Sequence, residues 1–300
     1  MNLYIINVRN AILTLAMSLL CGAASAYSKP PVKWGMWKKW GDQGGIVEGK
    51  DGKWYFLTHH GTGDWSGRIV SLLPMTWTDG WPLIGEVKAP DSIGVMAWSG
   101  NVPAKGGRRL KIARGDGFKG RTLTPQWQWN YQPRSDMYSL TERKGWLRLK
   151  AFKPLKNNRL KSAGNTLTQR CFRTDTNTVV VKMDISGMAD GQKSGLCHFS
   201  ISNAAIGITA EGGLRYVEYR ENDSTTRGEP VTAKVVWFRT AWGLDGISTF
   251  SYSVNGKDFV PFSKPYQMAW GHYRGDRIGI YCFNDNGEAG YVDVDYLEYK

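Results

Sequence analysis

Short runs in which apolar and polar residues alternate, broken every few positions by Gly, Asn or Asp, recur from Trp34 to the end of the chain. Alternation with period two sends successive side chains to opposite faces, so each run predicts a half-buried β-strand and each break a turn. The first group reads GGIVEG, a turn at Asp51-Gly52, KWYFLTHH, a glycine-rich loop, GRIVSLLPMTW and a second turn at Asp79-Gly80, the rhythm of antiparallel blades. Residues 88–121 carry Pro90, Pro103, several glycines and little periodicity outside Ile93–Trp98, and read as a surface connector. Alternation resumes at Trp146-Leu147-Arg148-Leu149-Lys150 and continues through Thr178–Ile185, Leu196–Ile201, Ala204–Thr209, Leu214–Arg220 and Val231–Arg239. Ile247–Val254 runs into Asn255-Gly256, a two-residue hairpin signal, and Arg277–Phe283 and Tyr291–Tyr299 close the chain. Strict alternation in the last run puts Val292, Val294 and Tyr296 on one face and Asp293, Asp295 and Leu297 on the other. No long helical period and no internal repeat interrupts this pattern, so the chain is expected to be all-β.

Composition agrees. With 41% hydrophobic residues the chain can bury a core, and 36 Gly with 14 Trp suit many turns and a β architecture. The net charge of +13 raises nucleic acid as a partner. Basic residues crowd Lys105–Arg121 and Arg148–Lys161, but no RRM, zinc-finger or helix-turn-helix pattern accompanies them, so no nucleic-acid partner is expected. A solvated basic face, or attraction to an acidic polysaccharide, accounts for the charge.

The N-terminus changes the picture further. Arg9 precedes an apolar stretch, Ala11–Leu20, and Ala24-Ser25-Ala26 is a small-x-small cleavage pattern, so residues 1–26 are expected to be a signal peptide with Tyr27 as mature start. A secreted or periplasmic protein without a transmembrane anchor is expected, because the apolar stretch is too short to span a bilayer. Lipidation at Cys21 would want a small residue where Leu20 stands. Cys171, Cys197 and Cys282 then remain, an odd number, each inside an apolar run that suits a buried thiol. No CxxC or Cys/His spacing suggests a structural metal.

Several separated motifs carry a resemblance. TPQWQWNYQP (residues 124–133), SLTERKGWLRL (139–149), NTLTQRCF (165–172) and YRGDRIGIYCFNDNGEAGYVDVDYLEY (273–299) resemble the concanavalin-like C-terminal β-sandwich of family-43 glycoside hydrolases of the β-xylosidase and arabinofuranosidase type. Residues 40–86, WGDQGG through WPLIGE, resemble the last blade of that family's five-bladed propeller. The resemblance implies a concanavalin A-like (jelly-roll) β-sandwich over residues 122–300, preceded by a partial propeller segment at 27–87 and the connector at 88–121. A whole propeller needs several four-stranded blades. The partial one predicts exposed strand edges and self-association, or a protein partner that completes the propeller.

The same resemblance frames the chemistry. Inverting glycosidases hold two carboxyl groups roughly 6.5–9.5 Å apart across the scissile bond, and the family draws its carboxylates from earlier blades than the one matched here. The acids available ahead of the sandwich are Asp42, Glu48, Asp51, Asp64, Asp79, Glu86 and Asp91, mostly in turn contexts, and Glu48-Gly49 leads straight into a hairpin turn. No catalytic residue is therefore assigned. By position His59 matches a histidine near the propeller axis and Arg68 an arginine facing the sugar pocket, so both are candidate substrate-binding residues. The competing account is a histidine at a strand end and a solvated arginine. In the sandwich, Trp127 and Trp129 are candidates for stacking on sugar rings, as are Tyr131, Trp237, Trp242 and Trp270, against the alternative that each packs in the core. Asp293 and Asp295 would suit calcium, the one cofactor left open, although a solvated strand face explains them more simply. The expected partner is a plant cell-wall polysaccharide or oligosaccharide such as xylan, arabinoxylan or arabinan. Two functions follow: a carbohydrate-recognition or accessory module without catalysis, or an active glycosidase of β-xylosidase or α-L-arabinofuranosidase type.

Overall fold

A computed structural model describes residues 44–89, 94–101, 112–271 and 274–300. The expected signal peptide with its Tyr27 mature start, Cys21, Asp42, Asp91, His272 and much of the basic cluster that begins at Lys105 lie outside the described residues. The chain divides into two units, Met1–Thr62 with Arg68–Leu110, and Gly63–Gly67 with Lys111–Lys300. Among the described residues no helix is long and apolar enough to cross a membrane.

The first unit holds one antiparallel sheet of β1 (Gly44–Glu48), β2 (Trp54–Gly61), β3 (Arg68–Thr78) and β4 (Trp81–Ile84), hydrogen-bonded in that order. The β3–β4 turn is Asp79-Gly80 with both residues at positive φ, 51° and 79°, the two-residue hairpin conformation that Asp-Gly favours. Period-two alternation sorts β3 cleanly. Leu73 and Met75 are buried on one face, whereas Val70 and Leu72 are exposed on the other, beside Leu57 of β2 and Val47 of β1.

The second unit is a two-sheet sandwich. Its strands in chain order are β5 (Gln128–Trp129), β6 (Tyr138–Ser139), β7 (Leu147–Lys150), β8 (Thr166–Arg170), β9 (Asn177–Asp184), β10 (Gln192–Phe199), β11 (Asn203–Glu211) and β12 (Leu214–Glu221). They continue as β13 (Ser224–Pro230), β14 (Val235–Trp242), β15 (Ile247–Ser253), β16 (Val260–Pro261), β17 (Tyr266–Gln267), β18 (Arg277–Asn284) and β19 (Tyr291–Tyr299). One sheet runs β13-β12-β11-β10-β18-β8-β5 and the other β16-β15-β14-β9-β19-β7-β6, with β17 also paired to β15. Every strand pair in both sheets is antiparallel.

Between the sheets lie the inward members of each alternating strand: Val179, Val181 and Met183 of β9, Val236 and Phe238 of β14, Ile206 and Ile208 of β11, Ile278 and Ile280 of β18. β18 is buried along its whole length, because its outer face is also covered. There Tyr281 and Phe283 pack with Cys197, Phe199, Leu160 and Ala163 in a second apolar cluster. A strand covered on both sides loses the polar alternation expected of a half-buried one.

Two details depart from the sequence reading. In β19 strict alternation fails: Val294 pairs with Met183 but Tyr296 pairs with Lys182, so a bulge lies between them. The extra residue turns Leu297 inward beside Val292 and Val294 and moves Tyr296 to the outer face. The sandwich unit also takes in residues from the stretch read as connector. Asp116 bridges to Leu297, Gly115 N–H donates to Gln169 Oε1 at 2.9 Å, and Phe118 is buried against Trp127.

The five residues Gly63–Gly67, between β2 and β3 in sequence, also belong to the sandwich unit. Trp65 is 2% exposed and sits in the sandwich core, its carbonyl accepting from Asp276 N–H at 2.7 Å. Arg170 donates to the Ser66 carbonyl at 3.4 Å and Arg173 pairs with Asp64. Gly67 and Gly275, both at positive φ, pass so closely that a Cβ on Gly67 would fall 2.4 Å from the Gly275 nitrogen.

Candidate functional site

In the four-stranded sheet, Gly61 pairs with Arg68 and His59 with Val70, so His59 and Arg68 share a face as diagonal neighbours. Arg68 Nη1 lies 3.3 Å from His59 Nε2. A guanidinium only donates, so Nε2 accepts and the imidazole proton sits on Nδ1. Nδ1 is buried with no hydrogen-bond partner among the described residues. Burial first, and then the charges of Arg68 and His60, hold the His59 pKa below its ordinary value. The pair is therefore a neutral imidazole set against a cation, with an N–H donor that is closed to solvent and has no partner among the described residues. His60 points to the opposite face, 2.6 Å from Ser71 Oγ and edge-on to Trp98.

The described acids of this sheet are exposed at Glu48, Asp51, Asp79 and Glu86. Asp51 is occupied by its own hairpin, accepting from Tyr55 Oη at 2.8 Å and Lys53 N–H at 3.2 Å. Asp64 accepts from the Ser66 N–H and hydroxyl and pairs with Arg173. These are turn-stabilising roles.

Of the tryptophans proposed to stack on sugar, Trp127 is a core residue and that expectation is corrected. It is 7% exposed, one ring face stacks on Phe118 at 5.7 Å, and its Nε1 donates to Asp116 Oδ2 at 2.9 Å. Trp242 is buried likewise, and Trp237 is half-buried with its Nε1 bonded to Tyr296 Oη at 3.1 Å. Trp129 differs. It packs partly on the core, lies 4.8 Å from the Tyr138 ring, and faces an open cavity of about 670 Å³ whose wall includes Leu123, Tyr138, Glu142 and Lys150. Tyr138 and Glu142 were not singled out from sequence. Their signal was present in SLTER, a turn between two strands that places a carboxylate beside aromatic positions.

Asp293 and Asp295, left open to calcium but read more simply as a solvated strand face, are engaged by cations, and Asp293 is 2% exposed rather than solvated. Arg148 binds Asp293 through Nε and Nη2 at 2.8 and 2.9 Å and Arg143 adds a contact at 3.1 Å, so both carboxylate oxygens face guanidinium. For Asp295, burial opposes ionisation, but hydrogen bonds from Lys182 and Lys119 outweigh it and hold the pKa low. Carboxylates already neutralised by cations offer calcium no charge.

One group of metal-ligating types does converge among the described residues: Cys171, His198 and Asp276, with ligand atoms within 4.8 Å. All three are buried and engaged. His198 Nδ1 faces Asp276 Oδ1 at 3.2 Å, and its Nε2 lies 2.9 Å from Ser248 Oγ. Burial pushes the Cys171 thiol well above its ordinary pKa, against the thiolate a metal requires. The arrangement is that of an internal hydrogen-bond network.

With this geometry in view, similarity to known proteins can be placed. Residues 115–300 match the family model described as the beta xylosidase C-terminal concanavalin A-like domain. The chain is 33% identical over 280 residues to a beta-xylosidase of Formosa agariphila, covering 86% of this chain and 47% of that protein. It is similar in structure to a bifunctional GH43-CE protein of Bacteroides eggerthii, with a TM-score of 0.69 and 28% identity over 86% of this chain and 34% of the other. A GH43 glycoside hydrolase engineered to display endo-xylanase and exo-arabinofuranosidase activity shares the fold at a TM-score of 0.72 and 24% identity, over 86% of this chain and 54% of that one. The chain spans about half the length of the curated relatives it matches.

Proposed function

The chain belongs to the β-xylosidase C-terminal concanavalin A-like domain family of the family-43 glycoside hydrolases, and from that premise we propose that it acts outside the cytoplasm as a carbohydrate-recognition or accessory module for xylan, arabinoxylan or arabinan. The observation that carries this reading is the contrast between its two units. The sandwich is built throughout, with a continuous core and a family match from residue 115 to the C-terminus. The four-stranded sheet offers hydrogen-bonding side chains, His59 and Arg68, but its described carboxylates are exposed, Asp51 and Asp79 in turns, Glu48 as the last residue of β1 and Glu86 just past β4. Glycosidic hydrolysis in this mode needs a carboxyl pair spaced across the bond, one acting as acid and one as base. On this reading His59 and Arg68 contact the sugar, and a partner that completes the propeller would supply the carboxyl pair.

The alternative, an active β-xylosidase or α-L-arabinofuranosidase, is favoured by the relatives' printed names. Release of chromophore from aryl β-xyloside and aryl α-arabinofuranoside by the purified chain separates the two. The module reading expects no release above a buffer blank together with retention on insoluble xylan. Turnover that is lost in Arg68→Ala would place an active site in this chain and overturn it.

A further inference from the structure

β5 and β6 are the terminal strands of the two sheets, and their aromatic residues meet: Trp129 and Tyr138 stand 4.8 Å apart with their planes inclined by 49°. Each ring is supported by the core from behind. In front of them is the cavity of about 670 Å³, within the roughly 300–1,000 Å³ range of small-molecule sites. Tilted aromatic faces with solid backing suit the C–H faces of a sugar ring, which are apolar, while its rim needs hydrogen-bond partners.

Such partners are present. Neither the Trp129 indole N–H nor the Tyr138 hydroxyl has a protein hydrogen-bond partner among the described residues. Glu142 is fixed as an acceptor: Lys150 Nζ holds Oε1 at 2.7 Å and Arg148 Nη1 holds Oε2 at 3.3 Å. Its backbone N–H and that of Thr141 both donate to Ser139 Oγ, which sets the turn, and Arg148 is itself anchored on Asp293. A carboxylate has about four lone-pair sites, so each oxygen can still accept from a sugar hydroxyl. The lining charges balance, Arg121 and Lys150 against Asp136 and Glu142, which favours an uncharged ligand over a uronate.

We propose that the Trp129–Tyr138–Glu142 cavity is a binding site for a neutral pentose oligosaccharide, separate from the His59–Arg68 pair. The proposal rests on the carbohydrate-module reading and adds to it a site and a ligand class. Trp129 and Tyr138 supply the stacking surface, and Glu142 accepts from a pair of hydroxyls.

The test uses the full chain labelled with 5-fluorotryptophan, its Trp129 resonance identified by its loss in Trp129→Phe, titrated with xylohexaose, alongside electrophoresis through gels holding neutral arabinoxylan or glucuronate-bearing xylan. The expected result is a saturable shift of the Trp129 resonance, and retardation by neutral arabinoxylan that weakens about tenfold or more in Glu142→Gln. Glu142 is partly exposed, and its isosteric variant is expected to fold. Retardation of the parent chain with the Trp129 resonance unmoved would overturn the site and leave the module reading standing. Binding confined to glucuronate-bearing xylan would overturn the neutral-ligand assignment. No shift and no retardation with either polymer would overturn both site and module reading.

Discussion

At the scale of single residues, environment separates side chains that look alike in sequence. Trp127 and Trp129 are two positions apart, yet one is walled in by Phe118 and hydrogen-bonded to Asp116 while the other borders a cavity. His59 shows the same dependence. Its pKa is lowered on folding, so the unfolded chain binds the proton more readily and stability must rise with pH in that range. The contribution is present above the ordinary value of 6.5 and is lost as pH falls through the depressed folded value. Amide protection factors in β2 and β3, taken after correction for the intrinsic pH dependence of exchange, should therefore fall as pH drops from about 7 to about 5, and His59→Gln should flatten that dependence. The cysteines give a second prediction. Burial pushes the Cys282 thiol up to about 12 and raises Cys171 and Cys197 as well. Mass-spectrometric mapping after treatment with a thiol reagent at mildly alkaline pH should find all three unmodified until the sandwich unfolds.

At the scale of elements, the strands follow from alternation and the β3–β4 turn from Asp-Gly, both legible in the sequence. Asn255-Gly256, read as a two-residue hairpin, instead lies within a longer connection between Ser253 and Val260 with only Gly256 at positive φ. The alternation misleads only where a strand is bulged, as in β19, or covered on both faces, as in β18. Neither condition is local: a bulge is defined by the neighbour's register, and double cover by segments distant in sequence. The Gly63–Gly67 segment is the clearest case. As sequence it is a glycine-rich loop with one tryptophan. In the structure that tryptophan fills the sandwich core and would strike a Cβ placed on Gly246. Trp65→Ala should lower the unfolding free energy of the sandwich by about 3–5 kcal/mol, the usual cost of emptying a buried aromatic site. Denaturant unfolding followed by near-ultraviolet circular dichroism would measure it, and a loss below about 1 kcal/mol would show that the site is not packed as described.

At the scale of the whole molecule, the two units differ in how well they bury their apolar surface. The sandwich encloses its core. The four-stranded sheet leaves Val47, Leu57, Val70 and Leu72 between 41% and 67% exposed on one face. Contiguous apolar surface of this kind promotes association. The purified chain should elute from size-exclusion chromatography larger than its 33.6 kDa, and Leu57→Asp with Val70→Asp should shift it toward monomer. A monomeric parent at every concentration would count against the exposed face as an association surface.

The sequence by itself determined that the chain is all-β, where its principal strands lie, and which family residues 122–300 resemble, because these depend on alternation, turn chemistry and motifs that are local along the chain. Only the tertiary structure decided which aromatic residues are core and which border a cavity, that Asp293 and Asp295 are held by arginine and lysine rather than being available to calcium, and that a loop tryptophan belongs to the sandwich. Those outcomes depend on burial and on which charges meet. Both are set by residues far apart in sequence, such as Arg148 with Asp293 and Trp65 with Gly246.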